Sequence, residues 1–211
     1  MRPSVAALMV LASALLARSA AAADAPAFSA VSDRYFGQED LWNGIYVGVG
    51  AANIAGGVAL ATRQDTGLRA AGYPAIVFGG VQLVVGVVYL AITPGFRADA
   101  RAALAKGPGE AVRSERARMR KVEAGFKYYK TVEGTIGLTG LVLGVVGAAR
   151  RSEAMMGAGV GLGVSACFQL VLEHSTHDVA KAYLRALDGI SVTAGGPSRG
   201  VGITMGGAMP W

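Results

Sequence analysis

Four long runs without a charged residue, at 41–62, 70–96, 134–149 and 154–172, constrain this chain more than any other feature. At about 1.5 Å per residue a helix over each run crosses, or nearly crosses, the roughly 30 Å hydrocarbon core of a bilayer. The third run reaches full length when 131–133 are added. Lipid offers the backbone no hydrogen-bonding partners, so the choice is between helices and a closed barrel. The polar links at 63–69 and 150–153 are very short, so neighbouring spans must be antiparallel. The predicted fold is an all-α membrane protein with four transmembrane helices, arranged as two glycine-rich antiparallel hairpins, with a basic amphipathic connecting helix and a short C-terminal β-hairpin.

Composition agrees: 53% of residues are hydrophobic and 16% charged, too greasy for a disordered chain. One cysteine, Cys167, cannot form a bridge within one chain, which excludes a disulfide scaffold. Glycine is abundant, with 31 residues, but has no strict three-residue period, which excludes collagen.

The expected layout begins with a signal peptide at 1–23, where Arg2 precedes an apolar run and Ala21-Ala22-Ala23 fits the small-x-small cleavage rule. A short extramembrane segment at 24–40 leads into the first hairpin, 41–93, with spans at about 41–62 and 70–93. The basic connection occupies 94–130. The second hairpin, 131–174, has spans at about 131–149 and 154–173. In the remaining tail, 175–211, apolar residues alternate with polar ones on either side of a Gly/Pro turn, which predicts a β-hairpin over about 190–205. The terminal Trp211 resembles the last strand of an outer-membrane barrel, but the rest of the chain lacks the alternating segments a barrel needs.

The hairpins resemble each other at an offset of 87 positions: Gly50, Gly57, Val58, Ala61, Arg63, Ala71, Gly72, Val77, Gln82, Leu83 and Val84 match Gly137, Gly144, Val145, Ala148, Arg150, Ala158, Gly159, Val164, Gln169, Leu170 and Val171. A tandem duplication is one explanation and shared Gly/Ala/Val bias the other. With two spans per unit, the copies would be parallel.

Glycines at helical spacing supply candidate packing faces: Gly44 and Gly48 in the first span, Gly134, Gly137, Gly140, Gly144 and Gly147 in the third, Gly157 and Gly161 in the fourth. Small faces let helices approach closely in lipid. The intramembrane polar residues are Asn53, Gln82 and Gln169, for which an interhelical hydrogen bond is the first expectation and a transport pathway the second.

Residues 94–130 hold ten Lys/Arg against four Asp/Glu, net +6, whereas the chain after Ala23 is +4, with 18 basic and 14 acidic residues. Gly107-Pro108-Gly109 divides this segment into two amphipathic pieces. Its cations Arg113, Arg116, Arg118, Arg120 and Lys121 are expected on anionic lipid headgroups. Nucleic acid is not an expected partner of an exported membrane protein. The signal peptide places this connection outside the cytoplasm, whereas the positive-inside rule places it inside.

Both histidines fall in one turn at the exit of the fourth span. Glu173, His174, His177 and Asp178 are weak candidate metal ligands, lacking the spacing of a zinc-protease helix, and a solvated helix end is the preferred reading. No catalytic residue, metal site or cofactor is expected, and no enzyme. The expected function is a structural or partner-binding role in the membrane, with the bilayer and a membrane protein or a second copy as partners. A small transporter or channel using Gln82 and Gln169 is the alternative, and a metal-dependent enzyme at His174 and His177 a distant third. The expected location is a bacterial inner membrane, reached by signal-directed export.

Overall fold

The computed structural model describes residues 5–190, with side-chain environments from residue 25 onward. Four helices follow one another: α1 (Val5–Ala61), α2 (Thr66–Lys106), α3 (Pro108–Ala149) and α4 (Glu153–Gly189). All four are long and apolar enough to cross a membrane. The β-hairpin expected at about 190–205 lies, apart from Ile190, outside the described residues. No strand occurs among the described residues.

Local chemistry sets the turns. Asp65 caps α2 by accepting from the Leu68 amide at 2.8 Å, and Ser152 caps α4 by accepting from the Met155 amide. Between α2 and α3 the reversal takes one residue, Gly107, whose φ of 132° is open to glycine. Pro108 then starts α3 at a position where its missing N–H costs nothing.

That one-residue reversal corrects the expectation for 94–130. The segment is not a separate connecting helix. Its two halves are uninterrupted extensions of α2 and α3. A helix of 41 residues is about 60 Å long, twice the hydrocarbon thickness, so each helix continues well beyond the bilayer.

The chain therefore has two tiers with opposite interiors. In the membrane tier the large apolar side chains face outward, among them Val77, Val81, Val84, Leu138, Leu141, Val145, Val164 and Val171. Cys167 joins this outer face. Small residues fill the inside. In the second tier the order reverses: Phe28, Phe36, Val112, Met119 and Leu187, from α1, α3 and α4, are almost wholly buried. Tyr35 stacks on Tyr183 at 4.1 Å, and Arg97–Asp40 and Arg116–Asp188 pairs tie the helices on the outside. Burying such side chains contributes roughly 1.5–3 kcal/mol each where water is the alternative. In lipid that drive vanishes, and close backbone packing replaces it.

The glycine seams recur at the repeat offset. A Cβ on Gly57 would meet the Gly72 carbonyl at 2.8 Å, and one on Gly50 the Gly79 carbonyl at 2.7 Å. Adding 87 to those pairs gives Gly144 with Gly159, which are also in backbone contact, and Gly137 with Ala166, 3.5 Å from the added Cβ. A Cβ on Gly140 would meet the Gly163 amide nitrogen at 2.7 Å, and one on Gly147 would meet Met155 and Met156. Gly157 and Gly161 serve a different contact, lying against Gly67 and Ala71 of α2, so they join one hairpin to the other. Gly44, Gly48 and Gly134 have nothing within 4 Å of an added Cβ and are not seam residues. On α1 the seam follows Gly50 and Gly57 instead, a different face of the same helix.

Candidate functional site

The two hairpins meet at Gln82 of α2, which has no exposed surface. Its carbonyl accepts from Asn53 Nδ2 of α1 at 2.7 Å, and its amide donates to Gln169 Oε1 of α4 at 2.8 Å. Gln82 and Gln169 are partners in the 87-residue repeat, so equivalent residues touch each other, as they do on the axis of a two-fold interface. Gln169 in turn lies beside the carboxyl of Glu133 of α3. Both hydrogen bonds of this row donate in the same direction, from Asn53 toward Gln169. Aligned amide dipoles reinforce one another in a dry interior.

At the end of the row lies a cluster that sequence reasoning did not assemble. Glu133 and Glu173 are 8% and 7% exposed, and their carboxyl groups lie beside each other. Each keeps one buried oxygen with no partner among the described residues. Tyr46 of α1 is buried beside both. One turn outward, Lys130 Nζ lies 2.8 Å from His177 Nδ1, and Phe126 stacks on the imidazole at 4.8 Å. Burial, reinforced by the Lys130 and Lys181 charges, pulls His177 below the ordinary imidazole range. Its ring is therefore neutral near pH 7, with Nδ1 accepting from the ammonium. Nε2 is buried without a partner.

This arrangement divides the four weak metal candidates. Glu173 and His177 point inward, while His174 and Asp178 are exposed and pair with each other at 3.5 Å. Residues four apart share a helical face, and the two pairs are offset by one residue, about 100° around the axis. No group of three or more His, Cys, Asp or Glu residues suited to a metal occurs among the described residues. Asn43 of α1 makes a further buried contact, 3.5 Å from Thr93 Oγ1 of α2.

Of the cations expected at headgroups, three are engaged within the chain. Arg116 pairs with Asp188 at 2.9 Å and Arg113 with Glu110 at 2.8 Å. Arg118 holds the nearly buried Glu115 at 2.8 Å and covers the rings of Tyr35, Phe36 and Phe96. Arg120 and Lys121 are exposed and have no ion-pair partner among the described residues.

An open apolar groove of about 540 Å³ lies between the hairpins, lined by Tyr73, Val77 and Phe78 of α2, Leu143 of α3 and Met155 and Leu162 of α4. Compared with protein-family models, with curated proteins and with solved structures, the chain finds no match in any of the three.

Proposed function

We propose that this is a multi-pass scaffold of a bacterial inner membrane, exported by the signal at 1–23 and built as a tandem duplication of a glycine-seamed helical hairpin. Gln82 carries this reading. Fully buried, it commits its carbonyl to Asn53 of its own hairpin and its amide to Gln169 of the other, so it acts as a clamp between the halves. Partner binding then falls to the extramembrane tier, where Arg120 and Lys121 project, and the partner is a membrane protein or a second copy. That tier faces away from the cytoplasm. The positive-inside rule concerns short loops beside the membrane, whereas several of these cations are paired within a folded bundle.

The second reading is a small transporter, favoured by the continuous row from Asn53 through Gln82 and Gln169 to Glu133. The two separate in proteoliposomes. A scaffold carries no proton or monovalent-cation flux, and a photo-crosslinking residue in place of Arg120 gives an adduct of discrete mass in intact cells. Flux that disappears in the Gln82→Leu/Gln169→Leu variant, with helix content and monodispersity retained, would establish transport instead.

A further inference from the structure

We propose that Glu133 and Glu173 form a binding site for a single proton, held between their carboxyl oxygens at the edge of the membrane tier. Two observations beyond the acidic pairing point to a ligand of this kind. Both side chains are more than nine-tenths buried, and each presents a carboxyl oxygen, Oε2, that no described residue satisfies. Two adjacent carboxylates in so dry a place repel strongly, and one proton converts that repulsion into a hydrogen bond.

The surroundings decide which residue carries the proton. Gln169, the last amide of the row, lies beside the carboxyl of Glu133 and not beside that of Glu173, and an adjacent amide dipole favours Glu133 as the ionised partner. Glu173 then holds the proton and donates to Glu133. The groups facing the pair complete the charge count. Tyr46 of α1 is neutral, with Tyr89 of α2 next to it. Gln82 of α2 reaches the pair only through Gln169. Lys130 of α3 supplies one positive charge, and His177 of α4 is neutral beside it. Glu123, Asp178 and Lys181 lie further out, around His177. With one proton the group of Lys130, Glu133 and Glu173 sums to zero. With none it is −1, and with two it is +1, each leaving an unbalanced charge out of water.

The site stands whether the protein is a scaffold or a transporter. Its ligand is the proton, and binding is the making of one O–H bond on a Glu173 carboxyl oxygen, with the proton drawn from water at the membrane boundary. The test is infrared spectroscopy of the full chain in lipid nanodiscs, with glutamate carrying 13C in its side-chain carboxyl to distinguish Glu from Asp. At neutral pH the wild type should show a carbonyl stretch of protonated glutamate, isotope-shifted and removed in either Glu133→Gln or Glu173→Gln. Lys130→Met should roughly double the band, since neutrality then needs two protons. The amide band of the same spectrum reports whether each variant is folded. A wild type without the band overturns the proposal, whatever the variants do. So does a band that persists in both glutamine variants.

Discussion

The two hairpins share a seam and differ in what they enclose beside it. At positions related by the 87-residue offset, the first places Asn43, Tyr46 and Gly86 where the second places Lys130, Glu133 and Glu173. A Cβ added to Gly86 would meet the Asn43 carbonyl at 2.8 Å, leaving no room for a side chain, whereas its counterpart Glu173 is buried beside Glu133 and Tyr46. Backbone packing is thus repeated and chemistry is not. One half is a closed glycine joint, and the other is the same joint opened far enough to admit a carboxyl pair.

The largest expected effects test the shared seam. Gly72→Leu forces a side chain against the Gly57 carbonyl and the Ala61 amide, 2.5 and 2.6 Å from the added Cβ. Because backbone cannot yield as a rotamer does, the cost should exceed the roughly 1–3 kcal/mol of ordinary overpacking. Gly159→Leu should be equally damaging in the other hairpin, while Gly44→Ala, Gly48→Ala and Gly134→Ala should be tolerated. Thermal unfolding in detergent measures all five. Unequal losses for Gly72 and Gly159 would break the equivalence of the halves.

A smaller effect separates the two members of the clamp. Gln82→Leu leaves the Asn53 amide and the Gln169 carbonyl without partners, at about 1–2 kcal/mol in total. Gln169→Leu strands the Gln82 amide and removes the amide dipole beside Glu133, so it should also alter the protonated-carboxyl band. The double variant should lose less than the sum of the singles, because the residues share one bond.

Acidification probes the second hairpin alone. His177 has a folded-state affinity for protons below that of the unfolded chain, whose imidazole titrates near about 6.5. Between those values the unfolded state binds more protons, so the stabilisation is complete above about pH 6.5 and declines as pH falls through the folded value. Melting temperature followed from pH 8 to 5 should fall on the acid side in the wild type and fall less in His177→Asn.

The smallest effect lies at the hairpin tips. Arg151 has a φ of 55°, whereas no residue of the first hairpin has a positive φ. Arg151→Gly should therefore raise stability slightly, by about 0.5–1 kcal/mol, since the left-handed strain removed is only partly offset by glycine entropy.

Much of the membrane tier was legible because hydropathy over 41–62, 70–93, 131–149 and 154–173 reports what lipid demands of a helix. The clamp was legible too, since Gln82 and Gln169 coincide in the repeat. Choosing the right glycine face was not possible from spacing: Gly44 and Gly48 share the helical period of a seam as well as Gly50 and Gly57 do, and the partner decides. The second tier was hidden for another reason. Val112 and Met119 read as one side of an amphipathic connection until Phe28 and Phe36, more than seventy residues earlier, and Leu187, nearly seventy later, close over them. The burial of Glu133 was hidden as well, because it depends on Glu173 and Tyr46, which lie on other helices.

The absence of any break between span and extension has a mechanical consequence. Each of α2, α3 and α4 is a continuous rod held at its waist by close helix contacts, with about a third to a half of its length beyond the span. Such a rod is a lever. A change of about 5° in tilt at the clamp moves the far end of a 60 Å helix by several ångströms. Any tilt at the clamp is thus magnified toward the end of the bundle that carries Arg120 and Lys121.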